Sequence, residues 1–325
     1  MKKDNVTIIG PAIVDILAGP IDKTLFTLGS IPMDEIKMSF GGNAYNEACV
    51  LSRFGVDVDL ISKVGNDEAG NRVVQKIRSL GISTEHVKVE NELSTSINIV
   101  LFDSQGERRF LTNPKSSQRV LSEKDISDAV ADFASIVCFS CMFISPLLDI
   151  PSMERLFRKI KETKQRVLIV DMTKAKNGET IQDLKPLLPY VDYLLPNEEE
   201  INMLGSGSVE ESAKELLHLG AGCIIVKRGK NGCTVFTREN TISVTAFHTD
   251  CAVDTTGAGD SFAAGFIYGL LNGNTLIECA QFANATASCC VEHVGAADGI
   301  LSIEEPMRRY EILRNSVRGE QNGGK

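Results

Sequence analysis

The stretch Val253-Asp254-Thr255-Thr256-Gly257-Ala258-Gly259-Asp260-Ser261-Phe262 runs without a break into the apolar segment Phe262 to Leu271. Two glycines flanking an alanine let the backbone turn tightly while its N–H groups point one way. The apolar run reads as a buried helix whose positive dipole end faces that turn. Together they form a cradle for an anion such as phosphate. Asp260 falls in the first turn of the helix, where the dipole favours an ionised carboxylate, and is the candidate general base for whatever reacts at the cradle. The glycines alone are equally compatible with a capped loop leading into a core helix. The ten-residue context argues for a site.

Around this stretch the chain alternates strand and helix patterns. Val6 to Ile9, closed by Gly10, reads as a buried strand, Ala44 to Phe54 as a helix stopped by Gly55, Val58 to Val64 as a strand, and Asp67 to Leu80 as a helix stopped by Gly81. The alternation resumes with a strand in Ser135 to Met142, a helix over about 151–164 and the strand Arg166 to Asp171. A helix near Ile181 to Leu188 and the strands Asp192 to Leu195 and Cys223 to Val226 follow. This is an α/β pattern with a mostly parallel sheet. Two segments depart from it. Residues 16–40 are broken by Gly19-Pro20, Gly29-Ser30 and Ile31-Pro32, and Ile97 to Phe102 and Glu107 to Leu111 form a hairpin pattern around Asp103-Ser104-Gln105-Gly106. After Val226 the turn Lys227-Arg228-Gly229-Lys230-Asn231-Gly232 leads into strands Cys233 to Phe236 and Thr241 to Phe247, and a helix is expected over about Leu276 to Val291.

Composition narrows the partners. The 325 residues are 43% hydrophobic and 24% charged, with a net charge of −9, a balance that suits a globular core and repels nucleic acid and acidic membrane surfaces. Nine cysteines lie mostly in apolar runs, which suggests free thiols in a reducing compartment. Cys138-Phe139-Ser140-Cys141 spells CxxC, but strand alternation places its two thiols on opposite faces and no second pair or histidine cluster accompanies it. Met1 to Asn5 leads directly into Val6 to Ile9, too short an apolar run for a signal or a membrane span, so a cytoplasmic location is expected.

Asp254-Thr255-Thr256-Gly257-Ala258-Gly259-Asp260-Ser261-Phe262 resembles the C-terminal signature of the pfkB (ribokinase-like) family of carbohydrate kinases. Gly41-Gly42-Asn43-Ala44-Tyr45-Asn46-Glu47-Ala48 resembles the family's N-terminal signature, and the order and separation of the two match as well. The resemblance implies a three-layer αβα ribokinase-like core in one kinase domain, 1–325, with a small β-sheet lid formed by about 12–40 and 95–115. It implies ATP-dependent phosphorylation of a hydroxyl on a small sugar or sugar derivative, with Asp260 as base and the amides of Gly257, Ala258 and Gly259 around the transferring group. A low-pKa aspartate suffices for that step, because proton transfer comes late in phosphoryl transfer.

Substrate contacts are expected from Asp15, Gly41, Gly42, Asn43 and Asn46, and from Ser96 and Arg109 in the lid. Asparagine amides both donate to and accept from a polyol, and a carboxylate such as Asp15 accepts two hydroxyl protons at once. Asp171 ends its strand on the side where open α/β sheets bind ligands, and either touches substrate or caps a loop. For ATP the resemblance implies Asn197, Lys227, Gly229, Gly232, Thr255, Gly257, Gly259, Asn284 and Ala287. Asn197 and Glu200 fit an N-x-x-E motif that organises Mg²⁺ through water, and magnesium's preference for oxygen ligands and retained water suits such a pair. The segment around Asp254 and Thr256 adds a monovalent cation, K⁺, as a candidate, and the apolar lid strands suggest a homodimer through the lid.

Plainer readings stand beside these. Three glutamates, Glu198 to Glu200, are what a helix dipole alone selects. Arg108, Arg109 and Lys115 also suit a solvated strand edge, and Lys227 to Gly232 a basic surface turn. Within the family, a nucleoside (stacked on Phe40 or Tyr45) or a phosphorylated sugar (held by Arg109 or Lys174) is the alternative acceptor. A non-catalytic sugar-binding protein would need neither Asp260 nor the N-x-x-E pair. A nicotinamide oxidoreductase is disfavoured because Gly10-Pro11-Ala12-Ile13-Val14-Asp15 lacks GxGxxG. Disorder is expected from 318 to 325, where the sequence is polar and glycine-rich.

Overall fold

Strand alternation sorts the apolar residues of the main sheet into two sets, and each set meets its own layer of helices. In the computed structural model, which describes residues 5–104, 108–163 and 165–322, the chain begins with β1 (Asn5–Ile9), β2 (Ile13–Ile21), β3 (Glu35–Gly41), α1 (Asn43–Arg53), β4 (Asp57–Gly65), α2 (Glu68–Ser79) and β5 (Val87–Glu90). It continues with β6 (Ile97–Asp103), β7 (Arg108–Leu111), α3 (Glu123–Ser127), β8 (Ile136–Met142), α4 (Ile150–Lys161), β9 (Val167–Met172) and β10 (Tyr193–Leu194). The last third holds α5 (Glu198–Leu204), α6 (Val209–His218), β11 (Cys223–Lys227), β12 (Cys233–Phe236), β13 (Thr241–Val244), α7 (Ala258–Leu271), α8 (Leu276–Cys290) and α9 (Glu304–Asn322).

Nine strands form one sheet in the order β13-β12-β11-β10-β9-β8-β1-β4-β5. From β11 to β5 all neighbours are parallel, while β12 and β13 add an antiparallel edge. On one face Ile8, Cys138 and Ile169 pack with α1, α2, α7, α8 and the apolar side of α9. On the other, Phe139, Leu168 and Val170 pack with α3, α4, α5 and α6. The architecture is therefore a three-layer α/β sandwich, as the resemblance implies, around the mostly parallel sheet that the alternation implies. The same alternation separates the two halves of CxxC, with Cys138 in the first core and Cys141 in the second, and none of the nine cysteines is in a disulfide.

Local chemistry fixes the outer helices. Asp149 caps α4 by accepting from Ser152 N–H at 2.9 Å, Pro151 occupies the first turn, and Met153, Leu156, Phe157 and Ile160 form one buried stripe. Each such fully buried side chain contributes roughly 1.5–3 kcal/mol. By contrast α7 and α8 are apolar nearly all round because each is enclosed, α7 between α1 and α8. The helix expected at Ile181 to Leu188 is instead a run of turns ending in a short 3₁₀ segment, Leu188–Tyr190. Pro186 and Pro189 remove the donors that a continuous helix there would need. The segment from 318, for which disorder is expected, continues α9 to Asn322, and residues 323–325 lie outside the described residues.

A second sheet of four strands, ordered β3-β2-β6-β7, stands beside the first. Asp15 pairs in register with Ser39 and Asn98, and Phe102 with Arg108, so these side chains share one polar face. The opposite face carries Ile36, Met38, Ile97, Ile99 and Leu111, all exposed. The tip of the expected hairpin, residues 105–107, lies outside the described residues. No helix among the described residues is long and apolar enough to cross a membrane.

Candidate active site

Gly257 takes the left-handed conformation, φ 76°, and caps α7, and a Cβ there would stand 2.5 Å from the Ala296 carbonyl oxygen. Only glycine makes that turn against that neighbour. Gly259 and Asp260 head the helix, where N–H groups have no acceptor one turn back. Ala258 differs from the expectation of three convergent donors: its N–H turns back to Thr255 O at 3.2 Å. The cradle thus presents the first helical amides rather than an even ring.

Asp260 is 9% exposed, and its Oδ2 accepts a hydrogen bond from Asn46 Nδ2 at 2.6 Å. This bond joins the two sequence signatures across 214 residues. One oxygen each of Asp260, Asp171 and Glu47 lie within 4.8 Å of one another. Lys227 enters this acidic group, donating to Asp171 Oδ1 at 2.7 Å, while Ser140 Oγ donates to Glu47 Oε2 at 2.5 Å. The ammonium supplies the compensation a cation would give, so the cluster is filled by the chain's own residues.

Burial, helped by the charges of Asp171 and Glu200 and opposed by Asn46 and Lys227, pushes Asp260 up to about 7. The low-pKa base expected from the helix dipole is therefore corrected. One dipole end does not offset loss of water and two neighbouring carboxylates. Glu47 is raised as well, first by burial and then by Asp171 and Asp260. Burial pulls the Lys227 ammonium down, but Asp171 and Glu200 outweigh it and hold it above its ordinary value.

A cavity of about 710 Å³ opens over this group. It is lined by Asp260, Gly259, Ala258 and Thr255 from the cradle and by Asn43, Asp171 and Lys227 from the neighbouring strand and helix ends. Asn197, Glu200, Gly229, Gly232, Asn284 and Ala287 complete the part where nucleotide contacts are expected. Asn284 also donates to the carbonyls of Val244 and Thr245, at 3.2 and 3.1 Å, which ties α8 to the sheet edge. Asn197 and Glu200 form a reciprocal capping box on α5, with Asn197 N–H on Glu200 Oε2 and Glu200 N–H on Asn197 Oδ1, each at 2.8 Å. The pair thus has a structural job, and both side chains still line the cavity.

The expected sugar residues divide. Asp15 lies against Gly41 so closely that a Cβ there would meet Asp15 Oδ2 at 2.1 Å, and Asn98 Nδ2 donates to Asp15 Oδ1 at 3.0 Å. Gly42 precedes α1 with φ 97°. Asn46 Oδ1 and Asn98 Oδ1 are buried without a partner among the described residues, as acceptors awaiting hydroxyl donors would be. Ser96 does not join them. Its hydroxyl is fully buried, donating to Ser116 Oγ at 2.8 Å and accepting from Gln118 N–H at 2.8 Å. Arg109 points to the exposed apolar face, while Arg108, one residue earlier, sits on the polar face and pairs with Asp254. Strand alternation exchanges the two arginines. Asp254 is thereby taken up by protein, for its carboxylate also accepts from Gly295 N–H at 2.9 Å and Thr256 N–H at 3.0 Å. Asn98, Arg108 and Glu47 carry no expected role in the sequence, although the register partner of Asp15 and the parity of β7 single out the first two.

The pfkB family carbohydrate kinase model matches residues 4–303. An uncharacterized sugar kinase of Archaeoglobus fulgidus is 30% identical over 250 residues, which cover 77% of this chain and 97% of that protein. The 2-dehydro-3-deoxygluconokinase of Haemophilus influenzae is 26% identical, covering 85% and 93%. Among solved structures, the Arabidopsis thaliana ribokinase complexed with ribose and ATP superposes with a TM-score of 0.78 at 22% identity, over 95% of this chain and 99% of that one. The chain belongs to the pfkB family of carbohydrate kinases. It is an ATP-dependent carbohydrate kinase with the ribokinase-like fold.

Proposed function

We propose that the protein transfers the terminal phosphoryl group of ATP to a hydroxyl of a small sugar or sugar derivative, with Asp260 accepting the hydroxyl proton. The observation that carries this reading is the 2.6 Å bond from Asn46 to Asp260, which sets a polyol-binding asparagine and a buried carboxylate side by side at the head of α7. The sugar lies between Asn43, Asn46, Asp15 and Asn98, and the triphosphate runs past Lys227, Thr255 and the first amides of α7. Asp260 orients the attacking hydroxyl and takes its proton, and the helix head and Lys227 offset charge on the transferring group. A positioned base contributes roughly 10² to 10⁴ in rate, and each well-aimed amide donor roughly 10² to 10³. Glu200 and Asn197 are the oxygen donors suited to a hydrated Mg²⁺, which when bound shields the phosphate charges.

The four-stranded sheet acts as the lid. Its polar face closes over the sugar and excludes water that would otherwise accept the phosphoryl group. Its exposed apolar face supports a homodimer formed sheet to sheet, and the nine free thiols of the chain favour a reducing, cytoplasmic location. A phosphorylated sugar is less well served. Arg109 faces away from the cavity, and Lys174 is exposed and paired with Glu199 at 2.6 Å.

The deciding experiment is a screen of neutral sugars, acidic sugars and nucleosides with coupled detection of ADP, on the wild type and on Asp260→Asn. Acceptor-dependent ADP release is expected with one sugar class and a fall of at least a hundredfold in the variant. Retention of most of that release by Asp260→Asn sinks the assignment of the base.

A further inference from the structure

Arg108 is the side chain of the small sheet that crosses to the phosphate-binding turn. Its Nη2 bonds Asp254 Oδ2, and the two side chains are only 16% and 5% exposed. Asp254 is more than an ion-pair partner. Its Oδ1 holds the N–H of Thr256, one residue before the Gly257 cap, at 3.0 Å, and its Oδ2 holds the N–H of Gly295 at 2.9 Å. Gly295 precedes Ala296, the residue whose backbone Gly257 packs against. One carboxylate thus fixes both walls of the turn that leads into α7, and a guanidinium from another sheet neutralises it.

The charge of Arg108 also reaches Asp15, where it works with Asn98 against the effect of burial. The guanidinium therefore bears on Asp15 as well as on Asp254. A carboxylate 5% exposed and held only by two neutral amides would be poorly compensated. A monovalent cation is one way to supply the missing charge. Here the oxygen it would use already accepts from Gly295 N–H and faces a guanidinium, and a second positive charge at that oxygen would be repelled. The residues present do not fit a cation at Asp254 while Arg108 is paired.

We propose that Arg108 is a positioning residue that latches the four-stranded sheet onto the 254–257 turn, taking the place of a monovalent cation at Asp254. Closure of the sheet and ordering of the phosphate-binding turn are then one event. With the sheet open, Asp254 loses its counter-charge and the amides it holds are freed. The inference rests on the phosphoryl-transfer reading for its purpose, but not for its geometry.

Two measurements on the full-length protein test it, and the first needs no acceptor. Hydrogen–deuterium exchange of the segments containing Thr256 and Gly295 is compared between the wild type and Arg108→Gln, with Arg108→Lys used should the first variant fail to fold. Faster exchange, by roughly 10- to 100-fold, is expected in those two segments and not in β8 or β9. The second measurement is ATP turnover in potassium chloride against choline chloride at equal ionic strength. The wild type should differ by less than twofold, whereas Arg108→Gln should be slow in choline and recover at least fivefold in potassium, a response that a merely structural ion pair would not give. Unchanged exchange in both segments overturns the latch, and so does a wild type whose turnover needs potassium by more than tenfold. Failure of the kinase reading would appear separately, as a wild type that releases no ADP with any acceptor while the exchange difference persists.

Discussion

Lys227 Nζ lies 2.7 Å from Asp171 Oδ1, and a Cβ placed on Gly259 would stand 3.4 Å from the same nitrogen. The ammonium therefore serves a buried carboxylate and the helix head at once. Removing it in Lys227→Met strands Asp171, which is 2% exposed and close to two other carboxylates, at a cost of about 3–5 kcal/mol. The urea midpoint should fall accordingly. Adding Asp171→Asn should recover most of that stability while leaving ATP affinity at least tenfold weaker. If the double variant regains both, Lys227 is a structural cation and has no part in holding phosphate.

The position of Asp260 near neutrality has two consequences of opposite practical sense. As a base it works only when ionised, so kcat/KM should climb as pH rises through about 7 and level off above it. For stability the folded value lies above the ordinary 3.8, so the native state holds the proton more tightly than the unfolded chain. The contribution is fully present below about 3.8 and is lost as pH rises through about 7. Asp260→Asn should therefore be more stable than the wild type at pH 8, by roughly 1–3 kcal/mol, and the gap should close as pH falls towards 4. A rate profile flat from pH 5 to 8, or a gap independent of pH, contradicts this.

The N-x-x-E pair separates by substitution. Asn197→Ala removes the acceptor for Glu200 N–H and should cost about 1 kcal/mol of stability through the lost cap. Glu200→Gln retains an oxygen for Asn197 N–H but loses the charge, so its thermal midpoint should move little while its Mg²⁺ requirement rises about tenfold or more. Equal magnesium titrations for Glu200→Gln and wild type would leave Glu200 as a cap alone.

What could be read from the sequence follows from what each signal measures. The two glycine-rich motifs and the strand runs depend on backbone conformation and continuous apolarity, so the cradle, the parallel sheet and the floor of the cavity were legible. Helix α6 was legible too but overlooked, since Ser208 and Glu211 form an S-x-x-E capping box ahead of its apolar positions. The interrupted helix at Ile181 to Leu188 shows apolar spacing overruled by two prolines. Single side chains in the second sheet were harder to assign. Choosing Arg109 over Arg108 is a slip of parity on β7, whereas Ser96 has the parity of Asn98 but precedes β6, where Ser116 and Gln118 enclose its hydroxyl. The raised value of Asp260 was not legible, because Asp171, Glu200 and Lys227 reach it only through the fold.

The outer face of the second sheet gives a solution prediction. Ile36 is 71% exposed and Leu111 54%, and with Met38, Ile97 and Ile99 they give β3, β6 and β7 an exposed apolar face. Ile99→Glu should convert a dimer to a monomer in sedimentation equilibrium without lowering the thermal midpoint of the monomer fold. A wild type that sediments as a monomer at tens of micromolar removes the dimer.

Gly41 supplies the sharpest test of where the sugar lies. A methyl group at this position would occupy space 2.1 Å from Asp15 Oδ2, so Gly41→Ala must push the carboxylate away or shift β3. The first outcome breaks the bond from Asn98 Nδ2 to Asp15 Oδ1 and loosens Asn98, whose Oδ1 has no partner among the described residues. The residues proposed to hold ATP, Asn197, Lys227, Thr255 and Asn284, line the cavity, and no residue of β3 does. The KM for the sugar should therefore rise about tenfold or more, with the KM for ATP and the thermal midpoint changing little. Equal effects on both KM values would mean that the substitution acts on closure of the whole site, and Asp15 would lose its place as a hydroxyl acceptor.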